Sequence, residues 1–514
     1  MLADPPAPTL PDPKPAKPAP LYAPRRKIFP KRADGAYRRF KWLVMGITLA
    51  IYYVTPWIRW YRGPYAPDQA VLVDLANRRF FFFFIEIWPQ EFYYVAGLLV
   101  MAGIGLFLVT STVGRAWCGY ACPQTVWVDL FIAVENFIEG DRNARMKLEA
   151  GPWTIDKLWK RVAKHSTWLV IAVLTGGAWI FYFADAPRLI VDVVSLHAPF
   201  VAYSTIAILT ATTYVFGGLM REQVCTYMCP WPRIQGAMLD EYSLTVTYNG
   251  WRGEPRSRHA KKAAAEGKTV GDCVDCNACV VVCPMGIDIR DGQQLECITC
   301  ALCIDACDDI MVRLGKDRGL ISYATLYDHQ HNTVIATGPD GRIDPGRVRD
   351  TLTGKLVDTI RLTNWRSIIR PRTIVYTIVL AAIGMGMLTA LALRTPISVT
   401  ALHDRNPLFV VMRDGAVSNG YDIKIANMTP EPRQVTLAVD GLPGATLSIA
   451  EQGNLTPQTV QLSLEPDRVL SVRAFVQVAR DAVPDTPVRF VIGVASDDGR
   501  YRVQTESNFE IPVH

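Results

Sequence analysis

Residues 273–284 read Cys273-Val-Asp-Cys276-Asn-Ala-Cys279-Val-Val-Val-Cys283-Pro284, and residues 297–307 read Cys297-Ile-Thr-Cys300-Ala-Leu-Cys303-Ile-Asp-Ala-Cys307. Both runs have the spacing C-x2-C-x2-C-x3-C, the thiolate pattern that holds two 4Fe-4S clusters side by side. Within one run the backbone curls around a single cubane, so three thiolates reach three irons. The fourth cysteine lies too far along the chain to close the same cage and ligates the other cluster. That assigns Cys273, Cys276, Cys279 and Cys307 to the first cluster, and Cys283, Cys297, Cys300 and Cys303 to the second. Paired structural zinc sites are the bland alternative, but such sites rarely use three cysteines at successive three-residue steps. Asp308 and Asp309 stand where a second proline is expected. Carboxylates there lower a cluster's potential if they face it, and do nothing if they face water.

Outward from these runs, composition bounds the rest. A chain of 514 residues is too long for one core. Half of its residues are hydrophobic and its net charge is only +6, which gives no reason to invoke nucleic acid. All twelve cysteines precede residue 308, as expected if thiols are confined to a reducing compartment. The first 24 residues hold nine prolines and cannot bury a core, so a disordered tail is expected. No cleavable signal peptide is expected, because the first apolar stretch begins at Trp42 behind a basic run.

Five stretches are long enough to cross a bilayer: Trp42–Ile58, Phe92–Val113, Ser166–Ala184, Pro199–Met220 and Thr373–Leu393. The aromatic stretch Phe80–Trp88 is broken by Glu86 and preceded by Arg78-Arg79, so it reads as an interfacial element. Basic residues set the direction. Residues 25–41 and 114–164 each carry eight Lys or Arg, against four in 59–91 and one in 185–198. The N-terminus and the segment 221–371 are therefore expected inside the cell, and the C-terminus outside.

The second stretch ends in Trp117-Cys118-Gly119-Tyr120-Ala121-Cys122-Pro123, and the fourth in Cys225-Thr226-Tyr227-Met228-Cys229-Pro230. This is an internal repeat of span plus C-x3-C-P. Cysteines four apart share one helical face, and the prolines are expected to loosen the turn that follows. Four thiols from two spans can then meet in one site. Soft thiolates select Cu(I), zinc or an iron–sulfur cluster. Copper is the preferred reading, with Met228 adding a thioether. A third cluster, a redox dithiol and an inert buried pair remain the alternatives. The histidines say less. His329-x-His331 reads as a solvated loop, His165 and His197 as interfacial packing, and His403 and His514 as nothing specific.

Residues 395–514 change character. Alternating stretches recur at 421–425, 434–439, 460–464, 469–476 and 488–492, separated by turn signals such as Asp440-Gly441 and Asp498-Gly499. This pattern predicts an all-β immunoglobulin-like sandwich without an inter-sheet disulfide, its default role docking in the periplasm.

Taken together, the paired C-x3-C-P motifs, both cysteine runs, the fifth span and the sandwich resemble the FixG/RdxA/CcoG family of cytochrome oxidase accessory proteins. The resemblance covers the chain from about residue 25 onward. It implies a polyferredoxin-type cupric reductase in the inner membrane of a Gram-negative bacterium, reducing Cu(II) to Cu(I) for assembly of a cbb-type cytochrome c oxidase. Two 4Fe-4S clusters relay the electrons, and Cys118, Cys122, Cys225 and Cys229 become the copper-proximal thiols. The implied partners are the membrane, copper ion, a cytoplasmic electron donor, copper chaperones or transporters, oxidase assembly factors and a second copy in a homodimer. The expected organisation is a disordered tail (1–40), four transmembrane helices with the paired motifs (41–260), an α+β two-cluster ferredoxin domain (261–320), a connector (321–371), a fifth transmembrane helix (372–394) and the sandwich (395–514). Two other functions stay open: a quinol-linked membrane ferredoxin, which requires a quinone pocket, and a non-enzymatic copper-carrier scaffold.

Overall fold

The computed structural model describes residues 27–267, 269–349, 356–363, 368–450 and 458–512. Most of the expected proline-rich tail therefore lies outside the described residues. Residues 27–40 do not behave as a tail. Lys31 N–H bonds Val281 O at 2.9 Å, Lys27 pairs with Glu149 at 2.6 Å, and the buried Arg145 guanidinium donates to Pro30 O. The first helix, Ala36–Val54, starts inside this segment. Gly35 offers it no side-chain cap, so Asp305 of the helix Leu302–Arg313 supplies one. Its carboxylate accepts from Tyr37 N at 3.2 Å and Arg38 N at 2.7 Å, as a negative group at a helix N-terminus should. A Cβ at Gly35 would lie 2.2 Å from the Asp305 carboxyl carbon, so this cap requires glycine. The cluster region is thereby fastened to the first helix.

All five expected spans fold as helices, but their lengths and compositions differ. Pro89–Val113, Phe200–Met220 and Pro371–Ala392 are long and apolar enough to cross a membrane, by length and composition. The other two, Ala36–Val54 and Ile155–Ile180, begin in charged sequence and are apolar only along their later turns. Lys41 is buried near Asp129 at 3.7 Å, and Lys164 near Glu139 at 3.0 Å. Ile155–Ile180 packs against Phe200–Thr213, where Gly176 meets Ile206 O. Pro371–Ala392 packs against Tyr93–Val113, with Met387 over Gly97.

The aromatic stretch before the second span is a three-stranded antiparallel sheet, Val71–Asp74, Arg79–Phe82 and Ile85–Ile87, rather than a simple interfacial segment. Alternation explains it: Phe81 turns into the fold while Phe82 stays exposed. The sheet holds the C-terminal unit. Arg79 stacks 3.8 Å from the Trp88 ring and donates to Asp467 O at 2.6 Å, and Arg394 pairs with Glu91 at 2.7 Å.

The C-terminal unit is a two-sheet sandwich, and all five stretches expected as strands are strands. One sheet runs Ala445–Ile449, Arg468–Val478, Val417–Asn427, Ile397–His403, with Val410–Val411 added at Val417–Asn427. The other runs Thr459–Leu464, Arg433–Asp440, Val488–Ser496, Arg502–Phe509. Every pairing is antiparallel. Tyr421, Ile425, Leu437, Val476, Phe490 and Phe509 are fully buried between the sheets.

Candidate functional site

The two cysteine runs fold as near copies of one another. In each, the residues flanking the second cysteine take positive φ: Asp275 (49°) and Asn277 (59°) in the first, Thr299 (57°) and Ala301 (60°) in the second. Left-handed backbone is tolerated by Asp275 and Asn277 but costly for Thr299 and Ala301. It turns successive N–H groups toward one point, the concave nest that accommodates anionic groups such as iron–sulfur centres. A short helix follows each loop, Ala278–Val282 and Leu302–Arg313. The strands that close the unit, Thr245–Tyr248 and Ile321–Ala324, pair antiparallel just outside the expected 261–320 limits.

Cys273, Cys276, Cys279 and Cys307 line one hollow, together with Tyr248 and Arg290. Cys283, Cys297, Cys300 and Cys303 line a second, with Cys279 at its edge. These are the two quartets that the spacing assigns. Among the described residues no group of three or more His, Cys, Asp or Glu is placed to hold a single metal ion. The thiols instead ring hollows, as ligands of a multi-iron core do. Burial pushes the Cys279 and Cys297 thiols up to about 11 and Cys283 and Cys307 up to about 12. Loading iron therefore displaces protons from neutral thiols. Asp308 accepts from Gly319 N–H, and its charge adds to the rise of the Cys307 thiol, whereas Asp309 is exposed beside Arg313.

The paired C-x3-C-P motifs are not on ordinary helical turns. Trp117–Ala121 and Val224–Met228 are π-helical, closed by Cys122 N to Trp117 O at 2.9 Å and Cys229 N to Val224 O at 2.8 Å. These wider turns bring residues four apart nearly over one another, and such turns are frequent at functional sites. The prolines begin new helices rather than loosening a turn: Pro123 opens Pro123–Ile138, and Pro230 caps Trp231–Met238. The four thiols are neighbours, close enough for Cys118, Cys122 and Cys229 each to act on the charge of Cys225. Burial first, and then the neighbouring Cys122, Cys118 and Cys229, raise Cys225 to about 12. Burial likewise lifts Cys118 to about 11, against the pull of the Arg115 guanidinium.

This pocket touches the second cysteine run. A Cβ on Gly119 would lie 2.6 Å from Ile298 O and 3.1 Å from the Cys300 backbone, so only glycine lets the two chains meet here. Tyr120 donates its hydroxyl to Cys300 O at 3.2 Å, and Tyr323 to Thr299 O at 2.9 Å. Cys118, Cys225, Cys283, Cys300 and Cys303 share one packed cluster.

Of the histidines, His329 and His331 lie on the helix Leu326–Ala336, not in a loop, and two-residue spacing puts them on different faces. His165 bonds the Tyr214 hydroxyl at 2.9 Å, and His403 bonds Asn419 at 2.9 Å. Arg115, Gln235, Arg290 and Tyr323 are the site residues that sequence reading passed over. A signal existed for one of them, an arginine that precedes each C-x3-C, at 115 and 221.

Three protein families match. One described as a 4Fe-4S dicluster domain covers residues 220–326, and one described as a 4Fe-4S binding domain covers 95–137. One described as the IG-like fold at the C-terminus of FixG covers 387–512. The nitrogen fixation protein FixG of Rhizobium meliloti (strain 1021) is 64% identical over 494 residues, 96% of this chain and 94% of that protein. Protein RdxA of Cereibacter sphaeroides is 52% identical over 85% of this chain and 87% of its own length. Protein RdxB of the same organism is 51% identical over 89% of this chain and 90% of its own.

Proposed function

The chain belongs to the FixG/RdxA family of iron–sulfur redox proteins, and from that premise we propose that it is a cupric reductase of the bacterial inner membrane, serving assembly of a cbb-type oxidase. The five helices cross the bilayer, with the N-terminus and both cysteine runs in the cytoplasm and the sandwich in the periplasm. Bound 4Fe-4S clusters supply one-electron relay. The protein's own part is to bind and space the centres. The nests at 275–277 and 299–301 orient backbone donors, the apolar packing around Cys303 excludes water, and Cys118, Cys122, Cys225 and Cys229 offer soft sulfur to the product Cu(I). One electron converts Cu(II) to Cu(I), and no general acid or base is required. The observation that carries this reading is the contact of Gly119 with the Cys300 backbone, which sets the four-thiol pocket directly against a cluster ligand.

A second reading is favoured by a cavity of about 500 Å³ lined by Arg161, Lys164, His165, Trp168, Arg221 and Glu222. Glu222 also lines the hollow that reaches Cys225. A quinone headgroup there would exchange two electrons and two protons one hollow away from Cys225.

Anaerobic protein reduced with dithionite and then given Cu(II) separates the readings. Loss of the reduced-cluster EPR signal with stoichiometric chelated Cu(I) supports the reductase. Oxidation by a quinone analogue but not by Cu(II) supports the quinol-linked protein. Cu(I) binding with clusters that Cu(II) leaves reduced supports a carrier scaffold. Cys118→Ser and Cys225→Ser should slow the Cu(II) reaction, and unchanged rates remove those thiols from it.

A further inference from the structure

The four-thiol pocket contains two buried N–H groups with nothing to bond. Gln235, on the helix Trp231–Met238, is 1% exposed. Its Oε1 accepts from the Cys118 thiol at 3.0 Å, while its Nε2 has no partner. Arg115, 4% exposed, donates one terminal nitrogen to Leu295 O and leaves Nε without a partner. Its guanidinium also draws Cys118 toward the thiolate. Buried donors are nearly always satisfied, and two idle N–H groups near one sulfur call for a stronger acceptor than the thiol form offers.

Ligation supplies that acceptor. When Cys118 gives up its proton to bind metal, it can no longer donate to Oε1, and a carbonyl oxygen would face a negative sulfur. Turning the amide over places Nε2–H on the sulfur instead. Four thiolates also bring more negative charge than a single copper ion or a cubane core neutralises, which gives the buried Arg115 charge a reason to be there.

We propose that Gln235 and Arg115 direct buried N–H groups onto the Cys118 sulfur of an anionic, thiolate-ligated redox centre held by Cys118, Cys122, Cys225 and Cys229, and thereby raise its potential. The inference rests on the reading of these four thiols as a redox centre. Hydrogen bonds to ligand sulfur favour the more negative, reduced state. Electrons arriving past Cys300 then settle at this centre. Gln235 and Arg115 are positioning residues and do not themselves carry electrons.

The test is an anaerobic EPR redox titration of the full-length protein in detergent, with iron, labile sulfide and copper counted on the same sample. A signal lost in Cys118→Ser identifies the centre, and the metal count says whether it is iron–sulfur or copper. In Gln235→Leu and Arg115→Gln that signal should shift to lower potential and lose a coupling to an exchangeable proton, while the signal of the cluster at Cys273, Cys276, Cys279 and Cys307 stays unmoved in both and that of the cluster at Cys297 stays unmoved in Gln235→Leu. Those unmoved signals show that the variants fold. A Cys118-dependent signal whose potential and proton coupling both survive Gln235→Leu overturns the donor assignment alone. Absence of any Cys118-dependent signal overturns it together with the redox reading of the four thiols.

Discussion

The cluster region and the C-terminal sandwich stabilise themselves in opposite ways. Between the sheets of the sandwich lie Ile425, Leu437, Val476 and Phe490, hydrocarbon packed on hydrocarbon. At the centre of residues 245–324 lie Cys273, Cys279, Cys303 and Cys307 around hollows, with backbone held at positive φ beside them. The first core is complete as a polypeptide. The second is completed by what the thiols bind, and its strained turns are repaid only when the nests have an anion to face. The difference teaches that the two cores should respond differently to loss of whatever the thiols bind, the sandwich core containing no thiol at all.

The largest effect expected from that contrast is on metal removal. Stripping iron with a chelator should abolish amide protection across residues 245–324 while the strands from Ile397 to Phe509 keep theirs, as read by hydrogen exchange. Equal loss in both regions would break the comparison. Next, Leu437→Ala should cost the sandwich about 2–5 kcal/mol, the usual penalty for a large buried side chain. It should leave the cluster EPR signals unchanged, since no thiol contacts that core. Gly119→Val should cost about 1–3 kcal/mol of overpacking against Ile298 and Cys300. It should also slow Cu(II)-driven oxidation of the cluster beside Cys300, measured by stopped-flow absorbance, while both cysteine-run clusters stay loaded.

The smallest effect sharpens the account of the junction. Glu86 is pushed up from 4.5 to about 7, first by burial and then by Asp467, against the pull of Arg79, Arg394 and Arg62. The docked state therefore holds a proton that free Glu86 releases at lower pH. Docking should weaken as pH rises from about 5 to 7 and level off above that. Exchange protection at Arg79–Phe82, compared at pH 5.5 and 7.5, should show this slope, and Glu86→Gln should flatten it.

Much of the site was legible because ligand spacing is local. A cubane dictates how far apart its thiolates can stand along a chain, so Cys273 to Cys307 announce an iron–sulfur cofactor. The sandwich strands were legible because alternation of buried and exposed residues has period two. The strands Ile397–His403, Val410–Val411, Ala445–Ile449 and Arg502–Phe509, three of them at sheet edges and Val410–Val411 only two residues long, were missed. The apolar helices were legible only in part. Ala36–Val54 and Ile155–Ile180 extend into charged sequence whose lysines are buried against Asp129 and Glu139, and hydropathy averages cannot see such pairing.

What the sequence determined by itself is the inventory: twelve cysteines, eight of them in two runs of C-x2-C-x2-C-x3-C, a doubled C-x3-C-P and an all-β end. What only the tertiary structure decided is adjacency. Nothing in the spacing places Gly119 on Cys300, turns C-x3-C into a π-helical turn, or leaves Gln235 and Arg115 with idle N–H groups beside Cys118. The reason is physical. Ligand geometry within one loop is set by a few consecutive bonds, whereas the approach of two loops some 180 residues apart is set by the packing of every helix between them.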